Sequence, residues 1–354
     1  LNGGFLPGGK SRVVETIRAL SFVLLRSRHG APRAWALLAL ALFAAPAAVQ
    51  AETVRIGYWS SGVSLGFGAV LEAGKFMEKR GLDVTYAKFV DVNAPTKALA
   101  AGAIDFAIGA SAGTALSVAA DGLPLRIMLA TQVADLDFVV PETLPIVSIE
   151  GLKGKKIGMS PPGSATAAIT AAILETNHGF KPSDYEAVPG NDPRLAQFLA
   201  RGDIDAAALR TVTLALLPEL KVRVLGAFRA EWKKLTHQDA PPVLGVGLVS
   251  AAWLKANPHG GAKIVAAMRD AYAYGKADKA GVAKALMAAA SIEETEAKAY
   301  AALWDAIYTV SMEPADVASL RAEFAAFKAV GAVKGTLPDD ALITQPYEES
   351  KTLK

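Results

Sequence analysis

The sequence contains no cysteine. That excludes disulfides, thiolate metal sites, a cysteine nucleophile and a lipid-modified N-terminal cysteine. Histidine is scarce too. His29, His178, His237 and His259 are scattered, without the His-x-x-x-His or Glu-x-x-His spacing of a catalytic metal site, so neither a metal nor any other cofactor is expected. Long apolar runs are also missing. Ala34–Ala45 falls well short of the roughly 20 residues that a membrane-spanning helix needs. What the chain does have is apolar bulk: 52% of its 354 residues, enough for one large or two medium domains.

Residues 1–51 read as a secretory signal. Lys10, Arg12, Arg18, Arg26, Arg28 and Arg33 precede the short apolar run, and Val49 and Ala51 are the small residues at −3 and −1 of a cleavage site before Glu52. The signal implies a periplasmic product without a lipid anchor. It also explains the charge. The six basic residues and one Glu of this segment carry more than the whole net charge of +3, which leaves the mature chain near −2. The overall basicity is therefore no sign of nucleic-acid binding.

From Thr53 onward short β-rich runs alternate with amphipathic ones, the pattern of an α/β sheet. Expected strands are Thr53–Trp59, Leu82–Val90, Gly102–Ala110, Leu125–Thr131 and Asp137–Val140. A helix is expected over Ser64–Arg80, another opens at Ser111, and Pro95 starts a short one after Asn93. The pattern restarts at Lys156–Ser160, with a helix opening at Ser164, a stop near Gly179 and a strand at Tyr185–Val188. Asn191 or Asp192 caps the next helix. Gly202-Asp-Ile-Asp205 then echoes Gly102-Ala-Ile-Asp105, and each precedes a strand. Further strands are expected at Val222–Phe228 and Pro241–Ser250. Helices follow near 260–275, 279–289, 292–310 and 314–330, packed through Leu286, Leu303, Ile307, Leu320, Phe324 and Phe327. The tail from Gly331 reads as a loose loop. Two similar α/β lobes with a cleft between them are the simplest architecture that fits.

The blocks VRIGYWSSG, GKFMEKRGLDV, KALAAGAIDFAIGASAG, DGLPLRIML, LKGKKIGMSPPGSATAAITAAIL, LARGDIDAAALRT and LVSAAWLKANP, over Thr53–Pro258, resemble a known family. It is that of the periplasmic binding proteins of sulfonate, taurine and nitrate ABC importers, which includes thiamine-pyrimidine-precursor binding proteins. The resemblance implies a two-lobe, type II binding-protein fold: 52–137 in lobe 1, 138–238 in lobe 2, and 239–354 returning to lobe 1 with the C-terminal helices. Crossings fall near Val133–Pro141 and Lys234–Val243. It implies a monomer without enzymatic activity that captures a small, anionic organic solute and delivers it to an ABC permease in the inner membrane.

Carried over by position, the ligand loops are Trp59, Ser60 and Ser61; Ser111 and Ala112; Ser164, Ala165 and Thr166; Asn191; and Arg210 and Thr211. One departure stands out. The family often has an aromatic residue after Asp-Ala in the second lobe, where this chain has Asp205-Ala-Ala-Ala-Leu-Arg210.

The residues themselves leave alternatives. Arg210 ends an apolar strand, where a guanidinium either clasps a sulfonate or carboxylate bidentately or serves as a strand-end charge or inter-lobe salt bridge. Ser111, Ser164, Thr166 and Asn191 are helix caps, ligand contacts or both. Trp59 either walls the ligand or fills core, and Asp105 and Asp205 fix turns. Three other readings stay open: a receptor for a neutral heterocycle such as a thiamine pyrimidine precursor, a solute sensor, and a secreted α/β enzyme. For the last, Gly62-Val-Ser-Leu-Gly66-Phe-Gly68 has the wrong order for a dinucleotide loop, and related pyrimidine synthases use a Cys-rich segment that is missing here.

Overall fold

The computed structural model describes residues 52–353, so the expected signal lies outside the described residues. The first lobe begins β1 (Glu52–Trp59), α1 (Gly62–Gly74), α2 (Phe76–Lys79), β2 (Leu82–Phe89), α3 (Ala94–Ala100), β3 (Phe106–Ser111), α4 (Ala112–Ala120) and β4 (Leu125–Val133). The chain then enters a second sheet: β5 (Leu136–Pro141), β6 (Lys156–Met159), α5 (Ala165–Ala172), β7 (Glu186–Pro189), α6 (Asp192–Arg201), β8 (Ala206–Arg210), α7 (Thr211–Leu216), β9 (Val222–Ala227) and α8 (Phe228–Thr236). It returns as β10 (Val243–Ser250) and continues through α9 (Ala251–Ala256), α10 (Gly260–Ala277), α11 (Lys279–Ala290), α12 (Glu294–Ala302), α13 (Trp304–Ile307), β11 (Tyr308–Ser311), α14 (Pro314–Ala329) and α15 (Gln345–Ser350).

The first sheet has the order β11-β4-β10-β3-β1-β2 and the second β7-β6-β8-β5-β9. In each, two parallel βαβ steps are joined to antiparallel neighbours: β10 lies beside β3 and β4, and β5 beside β8 and β9. β3 and β8 are buried along their whole length, which is why both read as continuous apolar runs. The echoed aspartates do the same work twice. Asp105 accepts the Arg55 N–H and Asp205 the Lys156 N–H, both at 2.9 Å, which ties the turn before β3 to β1 and the turn before β8 to β6. The Asp105 carboxyl is held below the usual range despite partial burial, because Arg55 donates to it from both backbone and side chain.

The chain crosses between sheets at residues 134–135 and 237–242, and the crossings touch. The Ala134 N–H donates to the Pro242 carbonyl at 2.8 Å. No described helix is long and apolar enough to cross a membrane.

Several expectations needed correction. The helix expected over Ser64–Arg80 breaks at Lys75, which adopts φ 49° and lets Phe76 turn back onto the Gly74 backbone, where a Cβ would meet its ring. The run expected as helix to residue 310 ends at Ile307. Tyr308–Ser311 instead adds an antiparallel edge strand to β4. The tail is not loose: Val333, Leu337, Leu342 and Tyr347 are buried, and Ile343 donates its N–H to the Ile127 carbonyl. α7 and α8 were not anticipated from the sequence.

Candidate functional site

The first turns of α1, α4 and α5 meet Arg210, at the end of β8, around one small cavity. Its wall is Trp59, Val63, Ser64, Val92, Gly109, Ser111, Gln132, Ser164, Ala165, Thr166, Arg210 and Leu244. The free volume is about 10 Å³, room for roughly one water. The lobes are closed on each other.

Direct bonds hold them so. Ala165, the first residue of α5, donates its N–H to Ser111 Oγ from the other lobe at 2.7 Å. Ser164 caps the same helix by accepting from Ala167 N–H at 3.2 Å. Thr114 Oγ1 lies 2.9 Å from the Gly163 carbonyl and 2.8 Å from Asn93 Oδ1, and Asn93 Nδ2 donates to the Pro162 carbonyl at 3.3 Å. Gly113 makes this approach possible, because a Cβ there would sit 3.0 Å from the backbone of Gly163, Ser164 and Ala165. Gly113→Val is expected to hold the lobes apart and enlarge the radius of gyration seen by small-angle scattering. An unchanged radius would show that the contact does not govern closure.

Arg210 is buried to 3% exposure. Its Nη1 donates to Asp192 Oδ1, while its backbone N–H and Thr213 Oγ1 donate to Oδ2 at 3.0 and 2.9 Å. The carboxylate is thereby fixed and the guanidinium neutralised within lobe 2, so Arg210 is neither a solvated strand end nor an inter-lobe salt bridge. On the other edge, Nη2 reaches only a 3.4 Å contact with Thr166 Oγ1, and Nε has no hydrogen-bond partner among the described residues. Nε and Nη2 form one of the two bidentate edges of the group. The Trp59 ring lies over it, 5.5 Å from its centroid, with the indole N–H donating to the Val90 carbonyl.

The opposite wall contributes an amide. Gln132 is almost wholly buried on β4 between two glycines. A Cβ at Gly109, where φ is +61°, would meet its Nε2, and one at Gly245 its Oε1. Its Nε2 donates to Ser64 Oγ at 3.2 Å. Behind α1, Tyr300 Oη donates to the Gly62 and Val63 carbonyls and Tyr308 Oη to that of Val63. Burial pushes the Tyr300 phenol up to about 12 and Tyr308 well above the usual range, so both remain donors.

A second space of about 210 Å³ opens on the far side of Trp59, between Val90, Asp91 and Val92 of lobe 1 and Ser160, Pro161, Pro189, Gly190, Asn191 and Arg194 of lobe 2. Of the expected site residues, Trp59, Ser111, Ser164, Ala165, Thr166 and Arg210 meet in the inner cavity, and Asn191, the cap of α6, lines the outer one. Four do not line either space. Ser60 bonds the Phe89 carbonyl, Thr211 bonds Asp135 at the crossing, Ala112 is fully buried, and Ser61 sits at the N-cap of α1. Sequence reasoning missed Ser64, Gln132, Asp91 and Arg194. The last had a signal, directly following the capping Asn191-Asp192-Pro193; Gln132 had none.

A search of curated proteins by sequence returns no match. The family model of NMT1/THI5-like proteins, by contrast, matches residues 70–280, more than half of the chain. The chain belongs to the NMT1/THI5-like family. Solved structures agree on the fold of this family member. The alkanesulfonate-binding protein SsuA of Xanthomonas axonopodis pv. citri, bound to MOPS, superposes with TM-score 0.69 at 20% identity, over 84% of this chain and all of that one. The periplasmic aliphatic sulphonate binding protein SsuA of Escherichia coli gives 0.66 at 18% identity, over 81% and 94%. The desulfurization enzyme DSZB gives 0.59 at 14% identity, over 85% and 99%. The NMT1/THI5-like chain thus has the periplasmic-binding-protein fold, a fold that serves an enzyme as well as binding proteins.

Proposed function

We propose that the chain is the solute-binding component of an ABC import system. It works in the periplasm after loss of residues 1–51, as a monomer, and passes a small organic solute to a membrane permease. The crossings at 134–135 and 237–242 act as its hinge. The solute-binding SsuA structures share its fold, which supports this reading.

One observation carries the binding site: a buried arginine whose Nε–H has no partner among the described residues, on the wall of a closed inter-lobe cavity. An unmade bond on a buried, charged donor costs stability, and a solute acceptor would supply it. Sulfonate or carboxylate oxygens fit that edge, and the α5 amide now held by Ser111 Oγ is a second donor for the same group. Binding rather than catalysis is favoured by the wall itself. Among its described residues the hydroxyls of Ser64, Ser111, Ser164 and Thr166 stand without a histidine, lysine or free carboxylate to activate them.

Thermal unfolding of residues 52–354 with sulfonates, carboxylates, nitrate and neutral pyrimidines tests the reading. Solute at about 100 times its Kd is expected to stabilise by about 2.7 kcal/mol. Arg210→Lys keeps the charge facing Asp192 but loses the bidentate edge, so affinity is expected to fall at least tenfold. If Arg210→Lys binds as the parent does, the edge is not the anchor. If only neutral pyrimidines shift the melt, the heterocycle receptor replaces the anion receptor.

A further inference from the structure

Closure of the two lobes is made by the protein's own groups. The Ala165 N–H donates to Ser111 Oγ, the Thr114 hydroxyl lies 2.9 Å from the Gly163 carbonyl, and both contacts cross the cleft. Beside them α5 of the second lobe packs against α4 and α14 of the first, and α7, which follows Arg210, packs against α1 and α12. The seal is apolar as well as polar. One buried cluster takes in Ala165, Ala168 and Ile169 of α5 together with Ala112, Ala115 and Leu116 of α4. Parting the lobes returns that surface to water, a cost that is independent of any solute. Two features of the same place work against a solute. Ser111 Oγ occupies the α5 amide, a donor that an acid group would use. Arg210 faces a cavity of only about 10 Å³, room for roughly one water and less than a carboxylate or sulfonate with its carbon needs.

We infer that the cleft is self-sealing: its resting arrangement is the closed one, and Ser111 stands in for the solute at the α5 amide until the lobes part. Solute then binds a wider arrangement, in which Arg210 Nε and Nη2 and the freed Ala165 N–H face its acid group together. The protein's own contacts thus compete with solute instead of adding to its affinity. Apparent affinity is the intrinsic value scaled by the fraction of molecules in the wider arrangement, so a change that weakens the seal without touching the site tightens binding. A receptor whose sealed form is the bound form behaves in the opposite way. The competition, though not the resting state, rests on the receptor reading above.

The absence of cysteine allows a spin-label pair to be placed through Ala101→Cys and Arg201→Cys, exposed positions just before the two echoed turns, one in each lobe. Distances between the labels on the mature chain are read by pulsed electron resonance. In buffer alone the parent is expected to show one short distance. Thr114→Val deletes a cleft-crossing bond away from the Arg210 cavity and should add a second, longer distance, as should Ser111→Ala. A parent whose distances are already long or broad overturns the inference, as do two variants that leave its distance unchanged; neither outcome depends on a solute. Titration with methanesulfonate then decides the competition. Thr114→Val is expected to bind it about threefold or more tightly than the parent, the size of one lost hydrogen bond, and saturation should lengthen the parent's label distance. Weaker binding by Thr114→Val, or a distance that shortens with methanesulfonate, makes the sealed form the bound one and overturns the inference. Methanesulfonate that binds neither protein counts against the receptor reading for sulfonates, and the resting distances alone then decide the seal.

Discussion

Asp192→Ala is expected to destabilise the protein by about 3–5 kcal/mol, because it strands the Arg210 charge in the interior. The loss has several parts. The salt bridge goes, and the Arg210 backbone N–H and the Thr213 hydroxyl lose their shared acceptor, Asp192 Oδ2. Loss of the N-terminal carboxylate of α6 adds a smaller dipole effect. Urea unfolding at neutral pH measures the sum. The same variant should be rescued by anions more strongly than the parent, because a sulfonate or sulfate ion can then take the place of the carboxylate. A variant that unfolds within about 1 kcal/mol of the parent would show that water reaches Arg210.

The second large effect concerns Glu323. This residue of α14 is fully buried beside the return crossing, where its Oε1 accepts the Val243 N–H and Oε2 has no partner among the described residues. Burial raises its carboxyl well above the ordinary value, outweighing the bond from Val243 and the nearby Ser319 hydroxyl. The folded chain therefore holds a proton that the unfolded chain releases above about pH 4.5. Stability from this group is complete below that value and is lost as pH rises towards the folded pKa. Glu323→Gln keeps the acceptor and cannot ionise. The parent should lose stability as pH rises above about 4.5 towards the folded pKa, whereas the variant should lack that component and be the more stable of the two in alkaline solution. Parallel unfolding profiles for the two proteins would refute the assignment.

Both residues show where sequence reading stops. The caps at Ser164 and Asn191 and the aspartates at Asp105 and Asp205 were legible because their hydrogen bonds serve backbone at fixed, local or repeated positions. The pairing of Asp192 with Arg210 was not. Asp192 is the first residue of α6 and reads as a cap, and it meets Arg210 only once α6 packs on β8. Gln132 likewise becomes a wall residue only because glycines 109 and 245 clear space on strands far apart in sequence. β11 was read as helix because alanines precede it, while its conformation is set by β4 and by Tyr308 reaching the Val63 carbonyl. Local propensity carries no record of such partners.

The position of β10 has a consequence for the order in which the molecule assembles. β10 lies between β3 and β4, so the first sheet stays split into two pieces until residue 250 is available. The second sheet is built wholly from the contiguous stretch 136–227 and needs nothing beyond it. In a chain delivered from its N-terminus, the middle lobe completes its sheet first, while the earlier strands β1–β4 wait for a partner more than 100 residues downstream. Loop closure on that scale is slow relative to local pairing. A chain that begins its first lobe and finishes it last has no complete first sheet until both lobes have been made.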